Sequence, residues 1–412
     1  MCGSENQAST NGTTTTKLNS PSLSSNIVLN LDHGDPTVYE AYWKRLEEKC
    51  TVVIKGSELM SYISDVEKPC WFMEQDLENA IKKLHRLTGN AVVDDRYVVV
   101  GTGSTQLYQS LLYAITTTSF AGDGDGNGDG DNNPLHHDQL PVPVVCAAPY
   151  YSQYAEEADY LRSGLYKWGG DAYAFDKDGP YIEVVTSPNN PDGTTREAVV
   201  ISDQGKIIYD MAYYWPQYTP ITRPANHDIM YFTFSKSTGH AGSRIGYVTN
   251  EAIARKMTKF IELSSIGVSK DSQIRAAKIM KVICDDYQDF KSHNNNNNNN
   301  THFFEFSRKL MENRWKRLRE VVGRSNVFSL PKYSQEYCLF NGECTESYPA
   351  FAWLKVKEEG VEDCEKLLKE YKILGRGGKR FGSDSSYTRV SILSREDVFQ
   401  QFLDRLESIK AN

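Results

Sequence analysis

No apolar run in this 412-residue sequence approaches the length that a membrane span needs. The first 26 residues, rich in Ser and Thr, hold no apolar stretch of the kind a secretory signal carries. Gly3 stands one place too late for N-terminal myristoylation. These absences make the cytosol the default location and leave residues 1–26 to be read as a disordered leader. None of the eight cysteines forms a CxxC pair, and their spacing is sparse, so reduced structural thiols are expected. Positive charge is short as well: 46 Lys and Arg face 54 Asp and Glu, and the net charge of −8 argues against a nucleic-acid backbone as partner. What is present is ordinary for a globular chain, 39% apolar and 24% charged, with enough length for two domains.

Along the chain, helical and strand periodicities alternate. In FMEQDLENAIKKLHRLTG, Leu77, Ala80, Ile81, Leu84 and Leu87 fall on one helical face, and Gly89 suits the stop. RYVVVG, VPVVCAA, YIEVVT, KIIYD, IMYFTF and IGYVT are short apolar runs. Such runs between helices predict a mostly parallel sheet covered on both faces. FFEFSRKLMENRWKRLREVVG predicts a long helix with Phe304, Met311, Trp315, Leu318 and Val322 inward. AFAWLKV and YTRVSIL are later strands, and a last helix follows Ser394, a candidate N-cap. Two low-complexity tracts, 122–133 and 294–300, interrupt the pattern and read as surface loops. The first has an EF-hand-like order, but Pro134 stands where a bidentate glutamate is required, so no metal site is expected.

In open α/β sheets ligands bind outside the carboxyl ends of the strands. Gly103, Ser104 and Thr105 follow one strand and open a helix, whose N-terminus suits a phosphate. Tyr150 and Tyr151 follow another. TSPNNPDGT is a rigid loop carrying Asn190. Asp210 ends a strand, with Tyr213 three residues on. Thr233, Ser235 and Lys236 are expected to end the next strand, with Arg244 eight residues beyond. Each piece alone is also a turn, a rim aromatic, a helix cap or a surface lysine. Together they describe one ligand with a cationic ring, a phenolic oxygen, an aldehyde and a phosphate, which is pyridoxal 5′-phosphate.

The order GST, PYY, SPNNPDG, DxxY, SK, R resembles the fold-type-I aminotransferases. LDHGDPT, SPNNPDGT and SKSTGHAGSRIG are more similar still to the alliinase-related plant family, in particular its tryptophan aminotransferases, over residues 27–410. The resemblance implies an α/β fold-type-I transferase. Its large domain would hold a mostly parallel seven-stranded sheet over 49–300. A smaller α+β C-terminal domain would span 301–412, with 27–48 packed beside it. It implies covalent attachment of the cofactor's aldehyde to Lys236 and pairing of Asp210 with the ring nitrogen. Tyr213 and Asn190 would bond the phenolic oxygen, and Tyr151 would stack on the ring. Gly103, Ser104, Thr105, Thr233, Ser235 and Arg244 would surround the phosphate. Tyr62 would reach the phosphate of a neighbouring subunit, implying a homodimer with shared sites. Arg389 would grip the substrate carboxylate, with Gly34 lining the same end. His33 and His240 have no required role. The implied reaction moves an amino group from L-tryptophan to pyruvate or another 2-oxo acid, giving indole-3-pyruvate, an auxin precursor. A C–S lyase using the same cofactor is the alternative within the family. A non-catalytic calcium-binding scaffold is the alternative outside it.

Overall fold

Short apolar strands alternating with amphipathic helices build one dominant sheet. The computed structural model describes residues 27–118, 140–243, 245–249, 251–293, 302–357 and 362–410. The leader, the tracts at 122–133 and 294–300, and Arg244 lie outside the described residues.

In chain order, β1 (Leu29–Asn30) and α1 (Glu40–Arg45) lead to α2 (Gln75–Thr88), β2 (Val98–Thr102) and α3 (Gly103–Thr118). β3 (Val142–Cys146), α4 (Tyr154–Tyr160), β4 (Tyr166–Asp171), β5 (Tyr181–Thr186) and β6 (Gly205–Asp210) follow. Then come β7 (Met230–Thr233), α5 (Phe234–Ser237), β8 (Ile245–Thr249), α6 (Glu251–Ser265), α7 (Lys270–His293) and α8 (Phe303–Ser325). β9 (Phe328–Ser329), β10 (Glu336–Cys338), β11 (Glu343–Thr345), β12 (Phe351–Val356), α9 (Cys364–Glu370), β13 (Ile373–Leu374), β14 (Arg376–Gly377), β15 (Tyr387–Ser391) and α10 (Glu396–Ser408) complete it.

The main sheet has seven strands in the order β2-β8-β7-β6-β5-β3-β4. Only β8 runs antiparallel, against both β2 and β7. All six residues of β5 are buried, as a strand covered on both faces requires. α2 packs on α7 and α3 on α6. α2 ends where Gly89 turns left-handed at φ 66°, with its N–H donated to the carbonyl of His85. A second, antiparallel sheet has the order β14-β15-β12-β9. β1 pairs in parallel with β13, which ties the early chain to the late chain.

Two local expectations are corrected, and one strand is added. β7 stops at Thr233, and Ser235 and Lys236 sit in the single helical turn α5, because the Thr233 side chain caps it by accepting from the Ser235 N–H at 3.3 Å. β4 was not anticipated: Gly169 and Gly170 break the apolar pattern, and the register against β3 shifts between Val144 and Val145. Ser394 does not cap α10. Its carbonyl accepts from Arg314 Nη1 at 2.7 Å, and the helix starts two residues later.

Candidate active site

A cavity of about 180 Å³ lies at the carboxyl ends of β5, β6 and β7. Lys236, Asp210, Asn190 and Thr233 line it from those strand ends, and Ser104 from the start of α3. Tyr151 and Tyr213 contribute rings, and Gly34 and Arg389 come from opposite ends of the chain. Thus Gly34 and Arg389, 355 positions apart, converge where a doubly wound sheet opens its crevice.

The Lys236 Nζ donates to the carbonyl of Gly34 at 2.8 Å and stands 5.7 Å from the centre of the Tyr213 ring. Gly34 is needed as glycine: a Cβ there would lie 2.7 Å from Phe351 Cζ and 3.2 Å from the Lys236 Nζ. Asp210 is buried, and its carboxylate accepts three hydrogen bonds. Tyr154 and Tyr231 donate their hydroxyls to Oδ2 at 2.6 and 2.7 Å, and the Ala212 N–H donates to Oδ1 at 3.0 Å. Burial pushes this carboxyl above its usual range, and the tyrosine bonds only partly oppose that. No Lys or Arg pairs with it among the described residues. A ring N–H⁺ facing Asp210 would supply the missing countercharge.

The phosphate end fits too. Ser235 is buried and its Oγ has no hydrogen-bond partner among the described residues. Gly103, at φ 78°, opens the sixteen-residue α3, whose first N–H groups are unpaired within the helix. Gly103, Thr105 and Ser235 do not line the cavity as Ser104 and Thr233 do, and the Thr105 hydroxyl donates to Glu157 at 3.2 Å. Tyr62 is 70% exposed and lies outside the cavity of its own chain.

Arg389 is 2% exposed and its guanidinium lies 4.0 Å over the Phe351 ring. Nη1 donates to Asn190 Oδ1 at 2.9 Å and Nη2 to the Asp32 carbonyl at 2.6 Å, whereas Nε has no hydrogen-bond partner among the described residues. Burial, and next the nearby Arg376, pull its pKa down to about 10. Tyr151 donates its hydroxyl to Gln153 Oε1, and burial pushes its pKa up to about 12. His240 packs against Trp43 and Phe234 outside the cavity, whereas His33 lines it.

Several residues of the site were not anticipated. Tyr231 lies two positions before Thr233 in β7, so strand alternation points it the same way. Tyr154 follows the tyrosines of PYY. Asp32 and Arg376 are 344 positions apart and nothing local links them.

The sequence model of the family described as Allinase matches residues 29–410. A protein of Arabidopsis thaliana named Tryptophan aminotransferase-related protein 2 is 50% identical, over 92% of this chain and 81% of its own. Its namesake in Oryza sativa subsp. japonica is 48% identical, over 95% and 75%. Alliin lyase of Allium cepa var. aggregatum is 33% identical, over 90% and 79%. Among solved structures, an aminotransferase from Staphylococcus aureus superposes with a TM-score of 0.61 at 15% identity, covering 93% of both chains.

Proposed function

This chain belongs to the Allinase family, and from that premise we propose that it transfers the amino group of L-tryptophan to pyruvate. The products are indole-3-pyruvate and L-alanine, and the former would feed auxin synthesis. Pyridoxal 5′-phosphate is the cofactor of this family. When bound, it supplies an aldehyde that captures amines and a ring that withdraws electrons from the substrate Cα.

The chain's own residues divide the remaining work. Asp210 holds a proton on the ring nitrogen, with Tyr154 and Tyr231 fixing its carboxylate. Ser104, Thr233 and Ser235, with Gly103 and Thr105 at the start of α3, hold the phosphate. Tyr213 and Asn190 bond the phenolic oxygen, and Tyr151 covers the ring. Arg389 grips the carboxylate shared by amino acid and oxo acid, which fixes the orientation of the Cα–H bond. The Lys236 amine takes the proton from Cα and returns it to complete the transfer. The observation that carries this reading is the convergence of Lys236, Asp210 and Arg389 on one cavity.

The aromatic donor is supported by the names of the more similar relatives and by aromatic walls at Tyr151, Tyr213 and Phe351. A homodimer is part of the proposal. The segment 53–66 presents Val53, Met60, Tyr62, Ile63 and Val66 to solvent, and a second subunit would cover them and receive Tyr62. Incubation of the holoenzyme with L-tryptophan and pyruvate tests the reading. Alanine and indole-3-pyruvate should accumulate together. Pyruvate released from an S-alkyl-cysteine sulfoxide, with no amino transfer, would replace this reading by C–S lysis.

A further inference from the structure

Two arginines, Arg389 and Arg376, line the cavity, and they differ in what answers their charge. Arg376 is paired bidentately with Asp32: Nε donates to Oδ1 at 2.6 Å and Nη2 to Oδ2 at 3.0 Å. Its Nη1 donates to the Ser152 hydroxyl at 2.8 Å, so all three nitrogens are engaged. Burial works against ionisation of Asp32, but the Arg376 contacts outweigh it and hold that carboxyl below its usual range. Among the described residues, Arg389 donates to neutral oxygens, an amide and a backbone carbonyl, and its Nε has no hydrogen-bond partner. One cation is therefore matched by the protein's own carboxylate, and the other is left for a ligand.

We propose that Asp32 neutralises Arg376 and so restricts the cavity to amino and oxo acids with a single carboxylate, excluding acidic side chains. The proposal rests on the amino-transfer reading above and deepens it by naming the substrate class. A second ligand carboxylate reaching Arg376 would have to displace Asp32, an intramolecular partner already in fork geometry. The displaced Asp32 would be left half-buried without a countercharge. The same residue acts twice, because its backbone carbonyl orients Arg389 while its side chain occupies Arg376. The rest of the wall offers aromatic rings at Tyr151, Tyr213 and Phe351, which suit an apolar side chain.

The test compares wild type, Asp32→Asn and the double variant Asp32→Asn/Arg376→Gln, all as holoenzyme. Amino transfer from L-tryptophan is measured to pyruvate and to 2-oxoglutarate. Calorimetry measures binding of two unreactive probes, butyrate and glutarate. Wild type should favour pyruvate at least tenfold in kcat/KM and bind glutarate no more tightly than butyrate. Asp32→Asn should move both ratios at least tenfold toward the dicarboxylate, and the double variant should lose that gain. A wild type that uses both oxo acids equally, or a folded Asp32→Asn with unchanged ratios, overturns the proposal. Should Asp32→Asn fail to fold, Arg376→Gln carries the test. It leaves Asp32 unpaired, so the preference for pyruvate should rise at least threefold, and an unchanged preference overturns the proposal. A wild type that transfers to no oxo acid sinks the amino-transfer reading alone, because the probe affinities still report on the arginine pair.

Discussion

Lys236 and Arg389 make separable predictions, because the proposed reaction gives one a proton to handle and the other a carboxylate. Lys236→Ala should lower kcat by at least a thousandfold, since general acid–base work and nucleophilic capture are lost together. Single-turnover kinetics with L-tryptophan check it, and the visible spectrum should report cofactor still held by noncovalent contacts. Arg389→Ala should raise KM for the amino donor and for the oxo acid in parallel, by roughly one to two orders of magnitude for a lost charge-assisted pair. A rise for one substrate only would detach Arg389 from the shared carboxylate. Phe351 enters both arguments, because it lies under the Arg389 guanidinium and touches the space a Gly34 side chain would fill.

At the scale of elements, the end of α2 offers a clean measurement. Gly89 adopts φ 66° with nothing within 4 Å of an added Cβ, so Gly89→Ala probes backbone conformation and nothing else. It should destabilise the protein by about 1 kcal/mol in urea melts, without changing KM. That helix was legible because its apolar spacing and its terminal glycine agree. The strands of the main sheet were legible for a similar reason: each is a continuous apolar run between polar turns. β4 was not, because a Gly-Gly pair in an edge strand carries no apolar signal. α5 was not, because the Thr233 cap turns the chain inside an unbroken β-like run. The strand-end residues of the site were legible for the same reason as the strands that present them. The Asp32–Arg376 pair and the two tyrosines on Asp210 depend on tertiary approach, which local pattern does not encode.

Taken whole, the molecule should lose stability on mild acidification. His85 is completely buried beside Trp215 and Phe232, with Nδ1 2.7 Å from Asn90 Oδ1. Burial lowers its pKa to about 4, and His240 is likewise lowered to about 4, first by burial and then by Arg275. Unfolded, both take a proton near pH 6.5, whereas folded they resist it. Their stabilising contribution is therefore complete above about pH 6.5 and is lost as pH falls toward 4, by about 1.4 kcal/mol per pH unit for each proton. Urea melts between pH 7 and 4.5 should show that slope, and His85→Gln should remove one proton's share of it, leaving that of His240. The folded centre also has a history in time. Leu29–Asn30 cannot pair until Ile373–Leu374 has been made, and the Asp32 carbonyl waits for Arg389. A nascent chain paused before position 389 on the ribosome would thus hold Lys236 and Asp210 yet lack the arginine that the proposed reaction assigns to the carboxylate.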